Sequence, residues 1–224
     1  MGKLPDFLII GEMKCGTTAL YKYATEHPQI EPATRKELSF FNDHFGNGIK
    51  WYKQQFPGSL HHLTGEASGY LKFPGIARKI ANIMPDVKLI IILRNPADRA
   101  FSHYQMHLEK GKVTIPFEKA IERIPTYINQ GKYAWKLQKW MEVFPRRQFH
   151  IIQSEMLYEH PQKTMNGLFR FLGLPSHTMK DYKKYNNRTY TKIPLNTKKR
   201  LLTYYKPYNK KLYRLLGKEF NWNQ

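Results

Sequence analysis

Two segments of this chain carry residue types at spacings suited to gripping anions. The first is Gly11-Glu12-Met13-Lys14-Cys15-Gly16-Thr17-Thr18, a glycine-bounded loop between an apolar run and a helical pattern. Backbone N–H groups at a helix start, together with the helix dipole, form an anion site, and Lys14 adds a positive charge beside it. The spacing of Gly11 and Gly16 mimics a Walker A loop, yet Thr17 stands where that loop needs lysine, and the lysine comes earlier, at 14. The second segment is Leu93-Arg94-Asn95-Pro96-Ala97-Asp98-Arg99-Ala100-Phe101-Ser102. Arg94 ends an apolar strand pattern, and Ser102 lies two turns into the next helix. A guanidinium and a hydroxyl converging there can hold a phosphate monoester. A nucleotide triphosphatase would place a metal-holding Asp after such a strand; here the residue is Arg94. The chemistry expected is phosphate binding by lysine, arginine and hydroxyls, with no metal.

The elements that must position these residues alternate. Apolar runs predict strands over 7–10, 88–93 and 148–153, and KLIIIL at 88–93 is the clearest buried one. Helical spacing predicts helices over 17–26, 74–84, 95–110, 133–144 and 161–172, the last closed by Gly173. Strands alternating with helices indicate an α/β fold: one domain over 1–224, with a central parallel β-sheet flanked by helices. Ligands in such sheets sit beyond the carboxyl ends of the strands, which places candidate sites just after Ile10 and just after Leu93.

Composition narrows the partners. With 224 residues, 37 Lys plus Arg against 17 Asp plus Glu give a net charge of +20, which implies an anionic partner. Charge by itself does not choose between nucleic acid, anionic lipid, acidic polysaccharide and a phosphorylated cofactor. Residues 178–224 hold 13 Lys/Arg against Asp181 and Glu219, and seven of the 15 tyrosines. Apolar pairs there recur at helical spacing, so a basic helical C-terminal segment packed on the domain is expected, split into two short helices at Pro207 and ended by Gly217. The single cysteine, Cys15, excludes an intrachain disulfide and a four-cysteine zinc site. No apolar run spans a bilayer, the first residues lack a signal-peptide pattern, and Asp6 breaks the myristoylation pattern, so a cytoplasmic, soluble protein is the expectation.

Taken together, the two loops resemble those of the 3′-phosphoadenosine 5′-phosphosulfate (PAPS)-dependent sulfotransferases, most closely the heparan-sulfate N- and 3-O-type domains. Lys14–Thr18 is similar to the family's 5′-phosphosulfate loop, and LRNPADRAFSHY from Leu93 to Tyr104 is similar to its 3′-phosphate motif. KELSFF from Lys36 to Phe41, GIKWY from Gly48, GEASGYL from Gly65 and the closing NKKLYRLLGKEFNW also resemble family segments. The likeness covers nearly the whole chain and is weakest between Val113 and Tyr133.

The resemblance implies a P-loop-kinase-like sulfotransferase fold and in-line transfer of a sulfuryl group from PAPS to a hydroxyl or amine, leaving 3′,5′-ADP (PAP), with no metal. It implies that Lys14 stabilises the leaving phosphate and that the loop of Lys14, Cys15, Gly16, Thr17 and Thr18 binds the 5′-phosphate. It assigns the 3′-phosphate to Arg94 and Ser102. Glu37 matches the family's general base; without the resemblance it reads as a solvated glutamate beside Arg35 and Lys36. The family's K-G-R-x-x-P loop, which closes over PAPS, is not reproduced, but NRTYTKIP at 187–194 lies in its place, so Arg188 or Lys192 could serve. Ser39 replaces the histidine of the 3-O type two positions after the base, Ala67 replaces the lysine that follows a family glutamate, and His103 and Met106 replace Trp and His of the N-type. PAPS binding is therefore better supported than a heparan-sulfate acceptor, although a carbohydrate or other hydroxylated acceptor is expected. Cys15 reads as a small filler, and Phe40, Phe41 and Trp51 read as core or as flanks of the cofactor. His61 and His62 read as exposed loop residues. Competing readings are a basic nucleic-acid-binding module, against which no recognition motif is found, a P-loop kinase, and a PAP-binding protein without turnover.

Overall fold

In the computed structural model, residues 2–179, 181–183, 185 and 192–222 are described. The chain forms two compact units, Met1–Leu93 with Trp140–Asn187, and Arg94–Lys139 with Arg188–Gln224.

The first unit is built on a parallel sheet. Phe7–Gly11 (β1) is buried along its whole length and runs through the glycine-bounded loop into Thr17–Ala24 (α1). Ile30–Pro32 (β2) follows, then the short helices Phe40–Asp43 (α2) and Gly48–Gln54 (α3). Leu63–Glu66 (β3), Ile76–Ile83 (α4) and Lys88–Leu93 (β4) complete the first stretch. In the second unit lie Pro96–Glu109 (α5), Phe117–Arg123 (α6) and Thr126–Asn129 (α7). Tyr133–Met141 (α8) leads back to Phe149–Gln153 (β5), Ser154–Glu159 (α9) and Pro161–Leu172 (α10). The last helix is Leu195–Leu216 (α11).

The sheet order is β2-β3-β1-β4-β5 and every pairing is parallel, as the alternating pattern predicts. β4 matches its predicted bounds, because a run of β-branched and leucine side chains buried on both faces suits only a central strand. β2 and β3 are not foreseen. They have three and four residues, and contain Pro32 and Gly65, which weaken any strand pattern. Gly65 is required by the pairing itself: a Cβ there would come within 2.5 Å of the Phe7 carbonyl oxygen. One layer of the core joins Ile90, Ile92 and Ile152 of the sheet to Leu20 and Ala24 of α1 and to Leu168, Phe169 and Leu172 of α10. Gly173, in the left-handed conformation at φ 86°, closes α10.

The second unit packs helices on one another. Asn95 caps α5, its side-chain oxygen accepting from the Ala97 N–H at 3.0 Å, and Pro96 occupies the first turn. Phe101, Tyr104, Phe117, Tyr127, Leu201 and Tyr205 form its core. Here one expectation fails. Pro207 does not divide the C-terminal segment; α11 is one helix of 22 residues that runs through it and ends at Gly217. Leu201, Tyr205, Asn209, Leu212 and Tyr213 are buried along one face on both sides of the proline. The Tyr205 hydroxyl also donates to the Ile128 carbonyl at 2.9 Å. This packing outweighs the lost N–H and the ring clash, worth about 3 kcal/mol. Residues 192–194 precede the helix outside any regular element. Predicted ends elsewhere shift by one to three residues: α1 stops at Ala24, α4 spans Ile76–Ile83, α5 stops at Glu109 and α8 stops at Met141. No helix among the described residues is long and apolar enough to cross a membrane.

Candidate functional site

The loop after β1 is shaped by unusual backbone angles. Lys14 takes a positive φ of 70°, rare for a residue with a Cβ, and Gly16 follows at φ 104° as the N-cap of α1. Such strained angles collect where backbone is shaped for binding. Since Gly16 has no side chain, the cap makes no side-chain bond, and the helix start presents N–H groups and the positive dipole end beside Lys14. Any side chain at Gly16 would be strained by its φ and crowded by its neighbours. A Cβ would lie 3.0 Å from the Tyr158 hydroxyl and 3.5 Å from Ile92 Cδ1, so α9 closes one wall of the loop. The Glu12 N–H donates to the Ile92 carbonyl at 2.8 Å, tying the loop to β4. Cys15 is buried in the sheet–helix core, which fits the filler reading.

Glu37 reaches this loop through its neighbour. The end of β3 holds residues 36–39 by three hydrogen bonds. The Ala67 N–H donates to the Lys36 carbonyl at 2.8 Å, the Leu38 N–H to Glu66 Oε2 at 3.1 Å, and the Ser39 N–H to Ser68 Oγ at 2.9 Å. So anchored, Lys36 extends its ammonium to Thr18 Oγ1 at 3.2 Å and to Glu37 Oε2 at 3.8 Å. The Glu37 side chain is 58% exposed.

Beneath this segment Glu66 is fully buried and accepts from Tyr52 (2.7 Å), Tyr70 (2.8 Å), Ser68 (2.5 Å) and the Leu38 N–H (3.1 Å). Burial raises its carboxyl above the ordinary value, against the pull of those four donors. Phe40 and Phe41 are buried against Tyr52 and Tyr70, with Phe40 stacked on Tyr52 at 4.2 Å between centroids, so they are core. Trp51 packs on Phe40.

In the second unit a cavity of about 370 Å³ is lined by Arg94, Asp98, Phe101, Ser102, Lys192, Ile193 and Lys198. Three of the expected residues, Arg94, Ser102 and Lys192, meet here. Arg188 lies outside the described residues. Two further residues join them: Lys198, whose ammonium pairs with Asp98 Oδ1 at 3.0 Å, and Asp98 itself. The Arg94 carbonyl accepts from the Tyr133 hydroxyl at 2.9 Å, which holds the backbone at the cavity wall. Arg99, five residues on, is structural: it is fully buried, and its guanidinium donates to the Tyr127 carbonyl and to Gln130. No group of three metal-ligating side chains occurs among the described residues. His62 makes a 3.2 Å contact with Glu31, and His61 lies on the adjoining loop.

Residues 4–206 match the sulfotransferase domain family. The chain belongs to the PAPS-dependent sulfotransferase family. It is 32% identical over 198 residues to bifunctional heparan sulfate N-deacetylase/N-sulfotransferase 1 of Caenorhabditis briggsae, a match covering 77% of this chain and 23% of that protein. It is 30% identical over 258 residues to human heparan sulfate glucosamine 3-O-sulfotransferase 5, covering 98% of this chain and 74% of that one. The crystal structure of a sulfotransferase from Alicyclobacillus acidocaldarius superposes with a TM-score of 0.86 at 28% identity, covering 99% of this chain and 100% of that one. The chain thus spans about a quarter of the bifunctional relative and most of the others.

Lys36, Lys198, Asp98 and Tyr158 line these two places without having been expected there from the sequence. Lys36 had a usable signal, since it adjoins Glu37. Lys198 and Asp98 are 100 positions apart, and nothing local connects them.

Proposed function

We propose that this protein transfers the sulfuryl group of PAPS to a hydroxyl or amine of a carbohydrate acceptor. Support comes first from the loop at residues 14–18, whose positive-φ Lys14 and side-chain-free cap suit a tetrahedral anion. It comes also from the cavity, where three cations and a hydroxyl gather in a volume fit for a phosphate monoester and part of its ribose. The family relationship supplies the donor, and the heparan-sulfate relatives suggest the acceptor class.

In this reading the N–H groups of Gly16, Thr17 and Thr18 hold the 5′-phosphate, with Cys15 contributing backbone. Arg94, Ser102 and Lys192 hold the 3′-phosphate; Arg188 is a further candidate. Glu37 accepts the proton of the acceptor as its oxygen or nitrogen forms a bond to sulfur. The bond from sulfur to the bridging oxygen breaks, its electron pair stays on the 5′-phosphate, and Lys14 neutralises that charge. The products are the sulfated acceptor, PAP and one proton. A sulfuryl group carries less charge than a phosphoryl group, so a lysine at the leaving oxygen can do what a metal does in kinases. Ser39 and Ala67 stand where heparan-sulfate relatives carry His and Lys, so the acceptor site has its own specificity.

The test has two stages. Calorimetric titration with PAP in the absence of metal should show saturable binding, weakened in Lys14→Ala and Arg94→Ala. Transfer of labelled sulfate from PAPS across a panel of glycans should then yield turnover that Glu37→Gln removes. Indifference to PAP would end the donor assignment, and a Glu37→Gln variant at full rate would end the base assignment.

A further inference from the structure

We propose that Lys36 is a further catalytic residue, its ammonium contacting the non-bridging oxygens of the sulfuryl group during transfer; this rests on the sulfotransfer reading above. Its placement carries the argument. Lys36 Nζ lies 3.2 Å from Thr18 Oγ1 and 3.8 Å from Glu37 Oε2, so it stands between a hydroxyl at the phosphate end of the reaction and a carboxylate at the acceptor end. The atom that must lie between those two ends is the transferring sulfur. A lysine on open surface would keep its rotamers and its hydration. This one is three-quarters buried, folded over the loop by a main chain that β3 holds on either side of it.

An ion pair with Glu37 does not account for that ordering, because a pair at 3.8 Å with a 58% exposed carboxylate contributes little. The bond to Thr18 has a second consequence. A hydroxyl that accepts from an ammonium turns its own hydrogen away, leaving it directed for donation to a phosphate oxygen. Lys36 therefore acts at two points. It sets the Thr18 hydroxyl, and it places a fixed positive charge beside oxygens that spread into the plane as the acceptor–sulfur bond forms and the bond to the bridging oxygen breaks. Lys14 serves the leaving oxygen; Lys36 serves the group in flight.

The experiment compares Lys36→Met, Lys36→Gln and Lys36→Arg with wild type, measuring PAP affinity by titration and kcat and KM for PAPS by sulfate transfer. PAP lacks the sulfuryl group and so reports on the phosphate grip alone. In Lys36→Met and Lys36→Gln kcat should fall about 100-fold while PAP affinity changes less than about threefold, the pattern for a charge felt mainly in the transition state. Lys36→Arg should restore part of kcat. The proposal is overturned if both neutral variants keep kcat within about threefold of wild type, or if PAP affinity and kcat fall in the same proportion. A wild-type protein that binds PAP and transfers sulfate separates either result from failure of the sulfotransfer reading itself, which would show as no PAP binding in wild type.

Discussion

Removing the Glu66 side chain tests the idea that β3 presents the segment carrying Lys36 and Glu37. Glu66 accepts four hydrogen bonds with no solvent access. In Glu66→Ala the three hydroxyls can turn, but the Leu38 N–H cannot, and a void replaces the carboxylate. One orphaned buried N–H costs about 1–3 kcal/mol and the lost packing adds to it, giving about 3–5 kcal/mol in all. Glu66→Gln is milder. The Leu38 N–H forces the amide oxygen to its own side, so the NH₂ group faces the Tyr52 and Tyr70 hydroxyls, which must rotate to accept. Charge-assisted bonds become neutral ones, at about 1–2 kcal/mol. Urea unfolding followed by tyrosine fluorescence should rank wild type above Glu66→Gln above Glu66→Ala. The midpoint temperature should drop by about 2–4 °C per kcal/mol in a chain of this size. The pH dependence has a definite sign. Burial raises the folded-state carboxyl above 4.5, so the folded protein holds this proton more tightly than the unfolded chain. The stabilisation it contributes is complete below about pH 4.5 and declines as pH rises toward the folded value, and Glu66→Gln should lack that slope. If Glu66→Ala loses under about 1 kcal/mol, or if it and Glu66→Gln are equal, the network does not hold the segment as described.

Gly16→Ala should weaken PAP binding about tenfold or more by calorimetry, since φ 104° and a Tyr158 hydroxyl 3.0 Å from the new Cβ together force the loop open; Tyr158→Phe in the same chain should restore part of it. His27 is buried, its Nε2 facing the Pro175 carbonyl at 3.2 Å while Nδ1 accepts from the Gln29 N–H at 3.1 Å, and burial lowers its pKa below 6.5. Its contribution is therefore whole above pH 6.5 and lost as pH falls toward the folded value, so thermal stability should decline from pH 7 to 5 more steeply in wild type than in His27→Gln. Pro207→Ala should stabilise the protein by about 1–3 kcal/mol in denaturant titration, because α11 already runs through that exposed position and regains an N–H. Arg94→Ala should raise the PAP dissociation constant about 10- to 100-fold by calorimetry, the loss of charged hydrogen bonds from the cavity, with little change in thermal midpoint.

The parts of this molecule that were legible in its sequence are those written in neighbouring residues. KLIIIL declares a central strand, Asn95-Pro96 a capped helix start, and Gly16-Thr17-Thr18 a helix start after a glycine-bounded loop; each depends on local stereochemistry and periodicity. From them follow the parallel sheet, the loop after β1 and the Arg94–Ser102 pair. Tertiary structure decided what depends on distant partners. β3 becomes a strand only by pairing with β1, and β2 only by pairing with β3. Pro207 stays inside a helix because Tyr205 and Leu212 are buried on either side of it. Lys36 becomes more than a surface charge because Ala67 and Glu66, some 30 positions away, hold its backbone and Thr18 receives its ammonium. Lys198 enters the Arg94 cavity through Asp98, 100 residues earlier. Spacing along a chain reports such meetings only where the chain itself is the link, and across a fold they arise from packing.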